Sequence, residues 1–213
     1  MNWFTFLIGS SVGKKMLMAA TGLCLIAFLS VHLIGNLTAF AGAEAFNDYA
    51  AKLHSLEPLL TIFNIGLVIL GLIHVVVGII LFFENLKARP TSYKVYRNPG
   101  GRTVGSNTMP YTGVLVLAFV IFHLLKFTFV DKSVTPIFQL MSETFANPLY
   151  VVLYVAAMIV VALHVSHGFW SLFQTIGLNN SRYMPLLTRL GLIVTFFFGI
   201  GFACLPIYMY LHV

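Results

Sequence analysis

Charge is the scarcest commodity in this sequence. Asp, Glu, Lys and Arg together make up 8% of its 213 residues, against 59% hydrophobic ones. Soluble domains carry about 25% charged residues, so a water-soluble fold is excluded. Disorder is excluded on the same ground, because disordered chains are polar and highly charged. There are only two cysteines. Cys24 and Cys204 both lie inside apolar runs, which rules out a disulfide-stapled secreted scaffold. There is no Cys-x-x-Cys-His for covalent haem attachment and no Gly-rich dinucleotide fingerprint for a flavin. Repeats of short period and low-complexity tracts are also missing. The net charge of +6 reflects membrane topology and points to no nucleic-acid partner.

What the chain does have is long apolar runs. A spanning helix needs about 20 such residues, and five charge-free stretches reach that length. Trimmed at Pro, Gly and polar residues, they predict an all-α integral membrane protein forming one domain over 1–213, with helices at roughly 16–40, 59–84, 109–130, 148–175 and 186–211. Pro58, Pro110, Pro148 and Pro185 fall near the starts of the last four, where a missing N–H does no harm. The first run is too long for the apolar part of a signal peptide, so it reads as a retained helix. Residues 1–13, with Trp3, Phe4, Phe6, Leu7 and Ile8, read as an amphipathic segment along the interface.

Basic residues set the orientation. Lys14, Lys15, Lys87, Arg89, Lys94, Arg97, Arg102, Arg182 and Arg189 share one side, and Lys52, Lys126 and Lys132 the other. The acids Glu44, Asp48, Glu57, Asp131 and Glu143 fall on the base-poor side. The N-terminus is therefore expected in the cytoplasm and the C-terminus outside. The longest cytoplasmic connection, about 85–108, reads as a topology-setting loop or as a docking surface for a soluble partner.

Five histidines, His32, His74, His123, His164 and His167, lie inside the apolar spans. Ionisable groups there are costly and functional by default. At 1.5 Å per residue, His32 and His123 lie roughly 10–12 Å from the outer face, and His74 and His164 roughly 22–24 Å. Each layer thus draws one histidine from each of two helices. Haem iron takes axial ligands from opposite faces of the macrocycle, and facing helices of a bundle supply them. The expected sites are a distal haem on His32 and His123 and a proximal haem on His74 and His164, both of b type. Gly35, Gly71, Gly78 and Gly168 lie on the ligands' helix faces, although close helix packing in membranes explains them equally well. His167, one turn beyond His164, is either an alternative ligand or a donor to a haem propionate. Lys14, Ser10, Ser11, Ser171, Gln174 and Ser106-Asn107-Thr108 are further propionate candidates. Any hydroxyl among them can instead bond its own helix backbone.

Several motifs carry a family resemblance over nearly the whole chain. They are Ser11-Val12-Gly13-Lys14-Lys15, Val31-His32-Leu33-Ile34-Gly35-Asn36-Leu37, Glu44-Ala45-Phe46-Asn47, and Leu163-His164-Val165-Ser166-His167-Gly168-Phe169-Trp170-Ser171 with Gln174 and Gly177. The sequence resembles the cytochrome b subunits of succinate:quinone oxidoreductases, of the single-chain, five-helix, dihaem cytochrome b558 type. The resemblance implies the same two ligand pairings, and it implies that the first histidine of the fourth-helix motif is the ligand. It implies a flavoprotein partner that oxidises succinate or reduces fumarate. It also implies an iron–sulfur subunit on the cytoplasmic face, menaquinone or another quinone as substrate, and a bacterial cytoplasmic membrane holding a complex able to oligomerise. The chain itself would perform no dicarboxylate chemistry. His54 and Glu57 are the quinone-site candidates, because quinone reduction couples electrons to protons and needs a titratable group nearby. Some relatives carry a glutamate two residues before the fourth-helix ligand. Ala162 stands there in this chain, which argues against a compensating proton path and for an electrogenic reaction. Two other readings use the same histidines: the dihaem anchor of another respiratory dehydrogenase, and a haem-free transporter with histidine proton relays.

Overall fold

A computed structural model describes residues 2–88, 104–130, 135–178, 180 and 182–212. Within it every regular element is helical, in the order α1 (Trp3–Gly9), α2 (Ser11–Leu37), α3 (Ala43–His54), α4 (Leu59–Ala88), α5 (Val104–Phe127), α6 (Ile137–Phe145), α7 (Pro148–Thr175) and α8 (Met184–His212). Five of these, α2, α4, α5, α7 and α8, are long and apolar enough to cross a membrane. The chain is therefore a multi-pass, all-helical membrane protein. Arg89, Lys94, Arg97, Arg102, Asp131 and Lys132 lie outside the described residues, as does most of the expected cytoplasmic loop.

Local chemistry explains where the helices start. Ser10 caps α2 by accepting a hydrogen bond from the Gly13 N–H at 2.9 Å, a standard use of serine. This start precedes Lys14 and Lys15, so both lysines sit on the first turns of the helix. The interfacial segment expected at the N-terminus is a separate short helix, α1, folded back on α2. Gly13 permits this contact: a Cβ there would lie 2.3 Å from the Phe6 carbonyl oxygen and 2.6 Å from the Leu7 Cα. Pro148 opens α7 behind its cap Asn147, whose side chain accepts from the Leu149 N–H at 2.9 Å. Pro110 departs from the start position expected of it, because α5 begins at Val104 with Pro110 inside it. Pro110 has no N–H to offer the carbonyl four residues back, yet the turn before it stays helical.

The spans pack as α4 on α2, α5 on α7, α2 on α7, and α8 against both α7 and α2, while α4 and α5 barely touch. Leu33, Met158, Val161, Val165 and Phe198 form the middle of the bundle. A second cluster at one end joins Ala39, Phe46, Met141, Phe145, Tyr154, Leu205 and Met209, and brings in the short helices α3 and α6. At the other end, Lys14 is 8% exposed and pairs with Glu84, linking the start of α2 to the end of α4. Large apolar side chains cover the outside, with Ile62 on α4 65% exposed and Val114 on α5 68%. An apolar exterior on this scale suits a helix surface facing lipid.

Candidate functional site

Four of the five intramembrane histidines meet in two pairs. The His32 and His123 rings lie 6.0 Å apart between centroids at an interplanar angle of 83°. The His74 and His164 rings lie 6.4 Å apart at 68°. Each pair joins one helix to another, α2 to α5 and α4 to α7. Thr21, which touches His74, is 11 residues before His32 on α2, so the pairs differ in height by about 16 Å. The His74–His164 pair is the one nearer the Lys14–Glu84 end.

The surroundings of the two pairs differ. Around His32 and His123 the walls are aromatic. Phe28 stacks on His32 at 5.3 Å, Phe202 lies 5.7 Å from it, and Phe119 and Phe127 flank His123 at 5.9 and 5.3 Å. The Tyr154 hydroxyl is 3.4 Å from His123 Nδ1. Around His74 and His164 the contacts are small and polar. Thr21 Oγ1 lies 3.1 Å from His74 Nδ1, and Thr112 Oγ1 lies 3.3 Å from His164 Nδ1. The glycine after each threonine lies beside the same imidazole. A Cβ on Gly22 would come 3.4 Å from His74 Cε1, and one on Gly113 would come 3.5 Å from His164 Cε1.

These distances test the fit of a haem. Two imidazoles that hold one metal from opposite sides, each at a metal–nitrogen distance of about 2 Å, keep their ring centres roughly 6 Å apart. Both pairs have that spacing. No group of three or more His, Cys, Asp or Glu with metal-holding geometry occurs among the described residues. Haem iron asks only for two axial ligands, which each pair can supply.

The remaining candidates are placed as follows. His167 is not opposite His74; its ring is 6.4 Å from Trp170, and its buried Nδ1 has no hydrogen-bond partner among the described residues. Gly105 of α5 packs on it, and a Cβ added there would stand only 3.0 Å from His167 Cβ. Lys14 pairs with Glu84, whose Oε2 is buried without a partner among the described residues. The Ser171 carbonyl accepts from the Thr175 hydroxyl at 2.9 Å. Ser10 is engaged as the α2 cap, and Gln174 is exposed near the end of α7. His54 ends α3 and Glu57 follows in the turn before α4, both exposed. Ala162 faces α8, its Cβ 3.1 Å from where a Cβ on Gly199 would stand. A glutamate there would have little room.

Sequence reasoning overlooked Thr21, Thr112 and Tyr154. A signal for the threonines was present. The pattern Thr-Gly-x4-Ala-Phe-x3-His occurs once from Thr21 to His32 and again from Thr112 to His123. The repeat is long in period, with a step of 91 residues.

No protein-family model matches the chain, and no solved structure matches it. Among curated proteins it is similar to the succinate dehydrogenase cytochrome b558 subunit of Bacillus subtilis (strain 168), with 29% identity over 170 residues, covering 78% of this chain and 81% of that protein. With five helices long and apolar enough to span a membrane, this protein is similar over most of both chains to the succinate dehydrogenase cytochrome b558 subunit.

Proposed function

We propose that this chain is the dihaem, quinone-reactive membrane anchor of a succinate dehydrogenase/fumarate reductase in a bacterial cytoplasmic membrane. One observation carries the reading: two histidine pairs on four different helices, each with ring centroids about 6 Å apart, the spacing that two axial ligands of one metal require. A bound haem would supply a one-electron carrier in a layer that water does not reach. The chain's own part is to hold and orient. His74 and His164 would bind the proximal haem at the end bearing Lys14 and Glu84, where the positive-inside rule puts the cytoplasm and the iron–sulfur subunit. His32 and His123 would bind the distal haem. Phe28, Phe119, Phe127 and Phe202 close the distal site against water. His167, whose Nδ1 has no partner among the described residues, Lys14 and Ser171 are the donors assigned to propionates.

Menaquinone or a related quinone would react at the outer side. There His54 can hold a proton on its imidazole and Glu57 on its carboxyl group, at the junction of α3 and α4. The membrane reaction is electrogenic in this reading. Ala162 offers no carboxyl between the layers, and it faces α8 so closely that a Cβ on Gly199 would stand 3.1 Å from its own.

The reading predicts a specific assembly. Affinity purification of the chain from its own membranes in mild detergent should yield a flavoprotein and an iron–sulfur protein, with succinate:quinone reductase activity. Recovery with a formate- or hydrogen-oxidising partner would assign the chain to another respiratory dehydrogenase. Recovery of a well-folded chain without any redox partner would refute the anchor reading.

A further inference from the structure

The Thr-Gly pairs of α2 and α5 sit where a haem ligand needs support. Thr21 is 3% exposed and Thr112 is 5% exposed. Each hydroxyl has one proton, and each has backbone carbonyls of its own helix within reach. Thr21 Oγ1 is 2.9 Å from the Leu17 carbonyl oxygen and 3.1 Å from that of Met18. Thr112 Oγ1 is 3.1 Å from the carbonyl oxygens of both Thr108 and Met109. A carbonyl only accepts, so a hydroxyl that bonds its own helix backbone gives its proton to that carbonyl. The oxygen that faces the imidazole is then left as an acceptor, and the Nδ1 opposite it must carry the hydrogen. That arrangement calls for the tautomer in which His74 and His164 donate from Nδ1 and present a bare Nε2 lone pair.

We propose that Thr21 and Thr112 are positioning residues for the proximal haem, each fixing the tautomer and the electron-donor strength of a ligand borne by a neighbouring helix. This inference rests on the dihaem reading above. Outer-sphere partners of a metal-bound histidine orient the ring and raise its basicity. The arrangement divides the labour between helices in an unexpected way. Helices α2 and α5 contribute ligands only to the distal site, through His32 and His123. Three turns away on the same helices, they hold the ligands of the proximal site, through Thr21 and Thr112. The repeated Thr-Gly-x4-Ala-Phe-x3-His segment encodes both tasks. Gly22 and Gly113 let the helix backbone approach the supported imidazole, and Phe28 and Phe119, four residues before the distal ligands, lie against them in both copies. The two copies are equivalent in these contacts.

Thr112→Val and Thr21→Val keep the branched shape and remove the acceptor. Loss of the Nδ1–H partner weakens donation from Nε2 and favours the reduced iron. In the purified complex, the proximal haem midpoint should rise by about three- to tenfold in the reduction equilibrium, or roughly 30–60 mV at 59 mV per tenfold for one electron. The distal midpoint should stay in place. Thr112→Ser should return the midpoint to the wild-type value. An optical redox titration with low-temperature spectra resolves the two haems. Loss of the proximal haem from the valine variant but not from the serine variant also supports the role, as weakened ligand support. Two retained haems with an unmoved proximal midpoint would overturn it, as would equal defects in the valine and serine variants. A wild-type complex without haem would instead refute the underlying dihaem reading.

Discussion

Changing His74 or His164 to alanine should remove one and the same haem, and with it electron delivery to quinone. The expected loss in succinate:quinone reductase activity is at least about 10²-fold, since a severed relay leaves no positioned route for the electron. Succinate oxidation with an artificial soluble acceptor should persist, because that chemistry belongs to the partner subunits. The complementary result is expected for His32 and His123, which should lose the other haem together. The pairing follows from geometry, since each imidazole faces its partner at about 6 Å across two helices. Haem counts and absorption spectra of the four single variants check it. If His32→Ala and His74→Ala lost the same haem, the assigned pairs would be wrong. A His167→Ala variant should keep both haems, because the ring opposite His74 is that of His164.

The second large effect concerns the ion pair between Lys14 and Glu84. Lys14→Met would leave the Glu84 carboxylate without its cation, with Oε2 lacking another partner among the described residues. Breaking a fully buried pair costs about 3–5 kcal/mol. Because the Glu84 side chain retains 41% exposure, solvent screening lowers the expected cost to about 1–2 kcal/mol, between exposed and buried pairs. Glu84→Gln should be destabilising in the same way, since it strands the Lys14 ammonium. The double variant Lys14→Met/Glu84→Gln should recover most of the loss, because neither charge is then left alone. Thermal unfolding of the detergent-solubilised complex measures this cycle. Additive losses in the double variant would mean that the two side chains do not stabilise each other.

The spans were legible in the sequence because lipid imposes a simple rule: every backbone polar group must be satisfied within an apolar helix. Hydropathy and charge therefore announce α2, α4, α5, α7 and α8 directly. Depth along those helices also brought the facing histidines into view, since rise per residue is fixed and alternate spans run in opposite directions. Other features depend on contacts that no single helix records. The short helix α1 folds onto α2 because Gly13 leaves a gap for the Phe6 carbonyl, and hydropathy is blind to that gap. Pro110 lies inside α5 because the segment before it, Val104–Met109, continues the helix, whereas proline alone suggests a start. Lys14 reads from the sequence as a topology signal or a propionate donor, and its pairing with Glu84 spans 70 positions of chain.

Thr21 and Thr112 were hidden for a related reason. A hydroxyl in a membrane helix ordinarily bonds its own backbone, and both threonines do so. Their oxygens nevertheless keep acceptor capacity for a histidine on the next helix. Only the recurrence of Thr-Gly-x4-Ala-Phe-x3-His in two helices separates them from ordinary threonines. Tyr154 left no comparable trace, because its role depends on the packing of Phe119, Phe122, Phe127 and Phe145 around it.

The most direct measurement is a pyridine haemochrome assay on the purified complex, with haem counted per copy of this chain. Two b-type haems per chain are expected from the two histidine pairs. One haem would mean that one pair is structural, and none in a folded complex would contradict the cytochrome reading outright.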